Sequence, residues 1–176
     1  PHIRAHKQWK QGIQGYLASI YFADAMLGRV LDALEKGPHA EDTIVVLWSD
    51  HGWHLGEKEH WQKFTAWRVC SRVPLVIRVP KAVSGLPEGT KPSRCTRPVN
   101  LLSLAPTLLE LAGISPSALH DGPSLVPLLK NPEADWSHVS LTHLQQPGSF
   151  GLSDEGWRYI RYANGEEELY DIRKDP

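Results

Sequence analysis

The sequence predicts an α/β fold that ends in a small antiparallel sheet, and three patterns lead to this prediction. Apolar residues recur every three or four positions over residues 9–36, which is the stripe of an amphipathic helix. A short polar connection then leads to a continuous apolar run at 44–48, which favours a central strand covered on both faces. Near the C-terminus, short β-prone runs alternate with turn residues. Helix, short loop and buried strand make half of an α/β unit.

The long N-terminal helix is predicted to end at Gly37 and Pro38. Asp24 falls on its apolar stripe, and we interpret it as a buried acid satisfied by hydrogen bonds rather than as a ligand. Three glycines lie inside the helix, and each costs up to about 1 kcal/mol relative to alanine. Close packing against a sheet would explain the three, which are Gly12, Gly15 and Gly28.

The middle of the chain predicts a second strand, a loop and two helical segments. Residues 72–80 are an apolar run bracketed by prolines, as in a strand that sharp turns enter and leave. Residues 81–98 are rich in Pro, Gly, Ser and Lys and have no period, so we expect a surface loop. Ser103 is expected to cap a helix that runs to Leu111 and stops at Gly113. After the Asp-Gly-Pro turn at 121–123, residues 124–129 favour one or two helical turns.

The C-terminal segment predicts a small antiparallel sheet. The dipeptide Asn164-Gly165 is a strong hairpin signal between the last two runs. We therefore divide the chain into a catalytic-domain part, residues 1–130, and a small antiparallel subdomain, residues 131–176. The predicted strands are 139–144, 157–162 and 167–172.

Composition narrows the functional classes. With 176 residues, 41% of them hydrophobic, the chain can form an ordinary globular core. A formal net charge of -1 without a basic stripe does not favour nucleic acid or an anionic membrane as a partner. No apolar run approaches the roughly 20 residues that span a bilayer. The partner we expect is a small or sugar-like molecule.

Chain ends and cysteines leave two questions open. The chain opens on Pro1 and its only methionine is Met26, so we expect a piece of a longer protein. Two cysteines, Cys70 and Cys95, have no metal-binding spacing, and they are either free thiols or a single bridge.

Asp50 and His51 lie just beyond the end of the first predicted strand and are the leading candidates for chemistry. The end of a buried strand is where polar groups are delivered to a pocket. A carboxylate supplies hard oxygen for calcium or magnesium, and an imidazole supplies nitrogen for a softer metal or for substrate. Taken alone, an Asp-His-Gly turn is a weak signal.

Four cationic or titratable residues lie just downstream, where a folded loop could turn them back towards Asp50. Ammonium and imidazole groups beside a metal suit a multiply oxygenated anion, because sulfuryl and phosphoryl transfer depend on neutralising charge on its oxygens. The alternative for each residue is an exposed charged loop. A zinc site from three histidines, at 51, 54 and 60, is a separate possibility. The four residues are His54, Lys58, His60 and Lys63.

The ordered set of motifs resembles the C-terminal half of the formylglycine-dependent sulfatases, particularly the iduronate sulfatase-like branch. The resemblance covers nearly the whole chain and is carried by YFAD at 21–24, GRVL at 28–31, TIVVLWSDHGWHLGE at 43–57, WQK at 61–63, RVPLV at 72–76, APTLLELAG at 105–113, DGPSLVPLL at 121–129 and ELYDI at 168–172.

The resemblance implies an alkaline-phosphatase-like α/β fold and a set of roles. Asp50 and His51 correspond to the late pair of ligands to a divalent cation, usually calcium, with magnesium as the alternative. Lys63 corresponds to the lysine that contacts the sulfate and helps the leaving group. The substrate implied is a sulfated small molecule or carbohydrate. Members of the family are often periplasmic, secreted or lysosomal.

The family nucleophile is a formylglycine made in a Cys/Ser-x-Pro-Ser-Arg motif, which the resemblance places upstream with an acidic metal pair. The stretches CSRVP at 70–74 and CTRP at 95–98 have similar letters in the wrong order. We therefore expect the missing N-terminal part of the protein to be a partner of this chain, and the chain alone to be inactive. The alternatives are a phosphodiesterase or phosphonate hydrolase of the same superfamily, or a non-catalytic binding fragment.

Overall fold

The structure is a computed structural model that describes residues 2–81, 83, 86 and 90–175. Within these residues lie helices α1 to α5, strands β1 to β8 and two short 3-10 turns, at Glu57–Glu59 and Leu101–Ser103. The helices are α1 His2–Ala5, α2 Trp9–Glu35, α3 Arg68–Ser71, α4 Leu104–Leu111 and α5 Val126–Lys130. The strands are β1 Val45–Trp48, β2 His54–Leu55, β3 Trp61–Gln62, β4 Leu75–Arg78, β5 Ser140–His143, β6 Phe150–Ser153, β7 Trp157–Arg161 and β8 Glu167–Asp171.

Helix α2 confirms the predicted long helix to within one residue, but its apolar stripe is not buried by the described part of the chain. None of its residues is buried, and Leu17 is 56% exposed. Asp24 is also exposed, so its interpretation as a buried acid was wrong. Trp9 and Tyr16 of the helix contact Trp61 and Trp53 in the loop that follows β1. A methyl group on Gly12 would lie 3.0 Å from Trp61, whereas Gly15 and Gly28 have open space around them, so close packing explains only one of the three.

Strands β1 and β4 form a two-stranded antiparallel sheet in which Val45 pairs with Arg78 and Trp48 with Leu75. The two predicted apolar runs are thus confirmed as strands. The prediction that β1 is a central strand covered on both faces is not confirmed. Trp48 is 48% exposed and, among the described residues, β4 is the sole neighbour of β1.

Helix α4 follows the 3-10 turn, and its start differs from the prediction. Ser103 makes no side-chain cap; instead the Asn100 side-chain oxygen accepts a hydrogen bond from the Leu102 N–H at 3.1 Å. The predicted stop is confirmed, since Gly113 takes a φ of 73° and its N–H donates to Glu110. The Ile114 N–H also donates to the Leu109 carbonyl, which completes a Schellman motif.

The C-terminal sheet is an antiparallel meander in the order β5, β6, β7, β8. Gly165 has a φ of 90° at the predicted turn between β7 and β8. Strand β6 was missed, because Gly151 and Ser153 weaken its β pattern. Whether residues 131–176 form a separate subdomain stays a prediction.

The buried apolar side chains include Leu111 of α4, Val126 of α5, Ile160 of β7 and Ala66 in the loop before α3. Cys70 is buried and Cys95 exposed, and both are free thiols. In the part of the chain that the structure describes, no helix has the length and apolar character needed to cross a membrane.

Candidate active site

The turn after β1 is held tightly against α3. The Gly52 N–H donates to the Cys70 carbonyl at 2.7 Å, and the Ser49 hydroxyl donates to the His51 carbonyl at 2.8 Å. A Cβ at position 52 would lie 1.9 Å from the carbonyl oxygen of Val69, so only glycine fits there. This close approach fixes the backbone that carries Asp50 and His51.

The His51 ring is oriented by its own turn. Its Nδ1 lies 2.8 Å from the Gly52 carbonyl oxygen. Because a carbonyl only accepts hydrogen bonds, Nδ1 carries the proton, and in the neutral ring Nε2 presents its lone pair. A backbone carbonyl on one ring nitrogen is a common way to prepare the other as a metal ligand. Nε2 also lies 3.8 Å from Asp50 Oδ1.

Lys63 is brought to this histidine across the loop, with its Nζ 3.0 Å from His51 Nε2. The loop turns back through the short β2–β3 hairpin, where His54 pairs with Gln62. Lys63 stands between two non-glycine residues of positive φ, Gln62 at 78° and Phe64 at 72°. Its side chain is half-buried, while the Asp50 side chain is 74% exposed. The three residues singled out from the sequence therefore lie together, and their chemical roles stay predictions.

His54 and His60 do not turn towards Asp50. His54 is completely buried, and its Nε2 lies 2.7 Å from the Thr65 hydroxyl. Burial, and secondly the neighbouring His60, lower the pKa of His54, against a smaller opposite effect of Glu57. His60 Nε2 donates to the Lys63 carbonyl at 3.1 Å. Both histidines thus stabilise the loop through contacts with its own residues, Thr65 and Lys63.

The Lys58 side chain contacts the C-terminal sheet instead of Asp50. Its Nζ donates to the Tyr170 hydroxyl at 2.5 Å and lies 5.0 Å from the centre of the Trp67 ring. Of the two alternatives left open for Lys58, the structure favours the exposed loop residue, whose ammonium is attracted by the aromatic side chains of the loop and of β8.

The zinc alternative finds no geometric basis in the described ranges, which contain no group of three His, Cys, Asp or Glu side chains able to hold a metal. His51 contacts Lys63, whereas His54 and His60 pack edge to face at 4.9 Å.

The loop tryptophans pack against neighbouring elements. Trp53 stacks on Tyr16 of α2 at 6.4 Å, and Trp61 meets Trp9 edge-on at 5.2 Å. The Trp67 indole N–H donates to Glu168 at 2.9 Å.

Two residues of the C-terminal sheet were missed by sequence reasoning, although they hold the loop that carries Lys63. Arg158 of β7 donates to the Ala66 carbonyl, and Glu168 of β8 accepts from Trp67. Burial tends to raise the pKa of Glu168, but hydrogen bonds from Tyr170, Tyr162 and Trp67 outweigh it and leave that pKa below its usual value. These contacts join residues about a hundred positions apart, so no local pattern signals them.

The chain is similar to known sulfatases in sequence. The family model described as Sulfatase matches residues 3–114. A sulfatase of Formosa agariphila is 41% identical over 96% of this chain and 32% of its own. An N-acetylglucosamine-6-O-sulfatase of Bacteroides thetaiotaomicron is 33% identical over 96% and 31%, and the iduronate 2-sulfatase of Mus musculus is 34% identical over 85% and 31%.

The fold of this chain also matches a solved structure. It shows a protein in complex with its substrate D-glucosamine-2-N,6-O-disulfate, and it matches 96% of this chain and 35% of its own with a TM-score of 0.78 and 31% identity. The expected alkaline-phosphatase-like α/β fold is thereby confirmed. The chain spans about a third of the length of the relatives it matches.

Proposed function

The chain belongs to the sulfatase family, and we propose that the intact protein hydrolyses a sulfate ester of a sugar at a site to which Asp50, His51 and Lys63 contribute. The observation that carries the proposal is the 3.0 Å approach of Lys63 Nζ to His51 Nε2, beside the Asp50 carboxylate. A carboxylate, an imidazole and an ammonium at one point can hold a cation and an oxyanion together. The sugar assignment follows the relatives, one of which acts on N-acetylglucosamine-6-O-sulfate by its name.

Asp50 and His51 are proposed to hold a divalent cation, calcium in the first place and magnesium as the alternative. The donor chemistry fits, because the Asp50 carboxylate is mostly exposed and the Nε2 lone pair of His51 is set by the Nδ1 contact with Gly52. Calcium prefers six to eight oxygen ligands, so further ligands must come from outside these two residues. When bound, the cation supplies positive charge that stabilises the anionic transition state.

Lys63 is proposed to bind the sulfate oxygens and to stabilise charge that develops on the leaving oxygen. The hydrogen bond from His60 Nε2 to the Lys63 carbonyl fixes the backbone that carries this ammonium, and Nζ lies 3.0 Å from His51 Nε2. Where a cation occupies the His51 lone pair, Lys63 keeps its three N–H donors for the substrate.

The nucleophile is proposed to be a formylglycine supplied by another part of the protein, because the sequence holds no Cys/Ser-x-Pro-Ser-Arg motif. The chain alone is accordingly proposed to be inactive, although it carries the lysine and two cation ligands.

The test is sulfate release by the full-length protein from a panel of sulfated mono- and disaccharides, with phosphate and phosphonate esters as parallel substrates. Lys63→Met should lower kcat for the best sulfate ester by about 10²- to 10³-fold, the range seen when one oxyanion donor is lost. Lys10→Met, an exposed lysine in α2, is the matched control and should leave kcat unchanged. Faster turnover of phosphonate or phosphodiester substrates would favour the hydrolase alternative, and no turnover of any ester would favour a binding fragment.

A further inference from the structure

We propose that Arg158 is a positioning residue for Lys63: it holds residues 63–67, the Lys63 segment, against the C-terminal sheet. The role of Lys63 in this inference rests on the sulfate ester hydrolysis proposed above. Arg158 itself lies on β7, more than a hundred positions after Asp50 and His51 in the sequence.

Arg158 is buried, and its guanidinium donates hydrogen bonds to the Lys63 segment. Only 1% of the residue is exposed. Its Nε and Nη2 donate to the Ala66 carbonyl at 3.0 and 2.6 Å, and its Nη1 donates to the Ser153 hydroxyl at 2.8 Å. Burial lowers its pKa to about 10, so it remains charged at neutral pH. No carboxylate among the described residues forms an ion pair with it.

Gly151 in the neighbouring strand leaves space for this guanidinium. Gly151 of β6 pairs with Ile160 of β7, and a Cβ at position 151 would lie 2.3 Å from Arg158 Nη2 and 2.7 Å from its Cζ. The φ of Gly151 is not among the positive values, so the backbone itself does not demand glycine. Space for the arginine side chain is therefore what this glycine provides.

The Lys63 segment needs outside support. Positive φ at the non-glycine residues Gln62 and Phe64 is a strained conformation, which persists only where the surroundings fix it. Thr65 contacts His54, Ala66 accepts from Arg158, and Trp67 donates to Glu168.

Among these contacts, the one at Ala66 is distinctive because two N–H groups of the buried Arg158 donate to the same carbonyl oxygen. Hydrogen bonds from charged donors are about twice as strong as neutral ones. Ala66 is itself fully buried and lies three residues after Lys63. Loss of this anchor should allow the segment to relax and Lys63 Nζ to move from its place beside His51.

The test uses two variants of the full-length protein that disturb the anchor differently. Arg158→Lys keeps the charge but loses the fork of donors. Gly151→Ala keeps Arg158 and pushes its guanidinium away from Ala66. Each should lower kcat by about tenfold to a hundredfold with a small change in KM, because a 1 Å misplacement of a reacting group can cost about 10²-fold. Arg161→Lys, on the exposed end of the same strand, is the matched control and should not change kcat.

A double-mutant cycle separates positioning from general damage. If Arg158 acts through Lys63, then in a Lys63→Met background Arg158→Lys and Gly151→Ala should each change kcat by less than about twofold. Equal losses with and without Lys63 would overturn the inference, as would unchanged kcat in both single variants. If Arg158→Lys does not fold, Gly151→Ala carries the same cycle alone.

A crystal structure of the Gly151→Ala protein, prepared without divalent cations, gives a readout that does not depend on turnover. We expect residues 63–67 to be displaced and the contact between Lys63 Nζ and His51 Nε2 to be lost. An unmoved segment with a displaced arginine would refute the anchor even if the enzyme is an active sulfatase. A moved segment in a protein without sulfatase activity would retain the anchor and reject the proposed function.

Discussion

Gly52→Ala should damage both the stability of the protein and its cation site, because the turn that carries Asp50 and His51 has no room for a methyl group. The new Cβ would lie 1.9 Å from the carbonyl oxygen of Val69 and 3.0 Å from its carbonyl carbon. Both atoms are backbone, so relief requires the turn and α3 to separate. That separation also breaks the 2.7 Å hydrogen bond from the Gly52 N–H to Cys70.

The expected cost has two parts. Overpacking of a tight contact costs about 1–3 kcal/mol, and a lost backbone hydrogen bond about 1 kcal/mol. The free energy of unfolding should therefore fall by about 2–4 kcal/mol. Because the displaced turn also orients the His51 ring through the Gly52 carbonyl, calcium affinity should fall with it.

The assay is urea denaturation of the full-length protein followed by tryptophan fluorescence, together with calorimetric titration of calcium. Gly15→Ala is the matched control, since a Cβ there meets nothing within 4 Å and the change should stabilise α2 slightly. Unfolding and calcium affinity in Gly52→Ala that match those of the Gly15→Ala control would refute the reasoning.

Three further predictions concern the cation, pH and the isolated chain. Asp50→Asn and His51→Ala should each abolish calorimetric calcium binding by the full-length protein, and Asp135→Asn, an exposed control, should not; binding retained in both site variants would assign the cation elsewhere. Glu168 has a lowered pKa when folded, so its stabilising contribution is present above its ordinary value of 4.5 and is lost as pH falls through the lower folded pKa. Urea titrations across this acid range should show a smaller loss of stability in Glu168→Gln than in wild type, and parallel curves would contradict the assignment. The 176 residues expressed alone should aggregate, because α2 and β1 expose their apolar faces, and a cooperatively melting monomer in gel filtration would contradict this.

Local patterns in the sequence predicted most of the elements and the residues of the candidate site. The stripe of α2, the apolar runs of β1 and β4, and the glycine stop of α4 are all signals within a few residues, and each is confirmed. Asp50 and His51 could be singled out because they lie just beyond the end of a strand, and Lys63 because the ordered motifs resemble the sulfatases. The family resemblance implies that these residues share a site, but only the structure gives the 3.0 Å distance between Lys63 Nζ and His51 Nε2.

Sequence reasoning failed where the outcome depends on what a side chain meets. Asp24 lies on an apolar stripe, yet no described residue covers it, so the acid stays in solvent. Lys58 and Lys63 have the same chemistry five positions apart, and only the course of the loop sends one to Tyr170 and the other to His51. Ser103 has the right residue type for a cap, but Asn100 occupies the position from which the turn begins.

The sequence by itself therefore indicated the family, the long helix α2, the strands β1 and β4, and the three residues proposed to bind sulfate and cation. Only the tertiary structure decided which groups hold that chemistry in place. Arg158 and Gly151 are an arginine and a glycine without a motif, and their function follows from a guanidinium buried against the Ala66 carbonyl. The physical reason is that periodicity and motifs report contacts within a few residues, whereas this anchor joins atoms 92 residues apart in the chain.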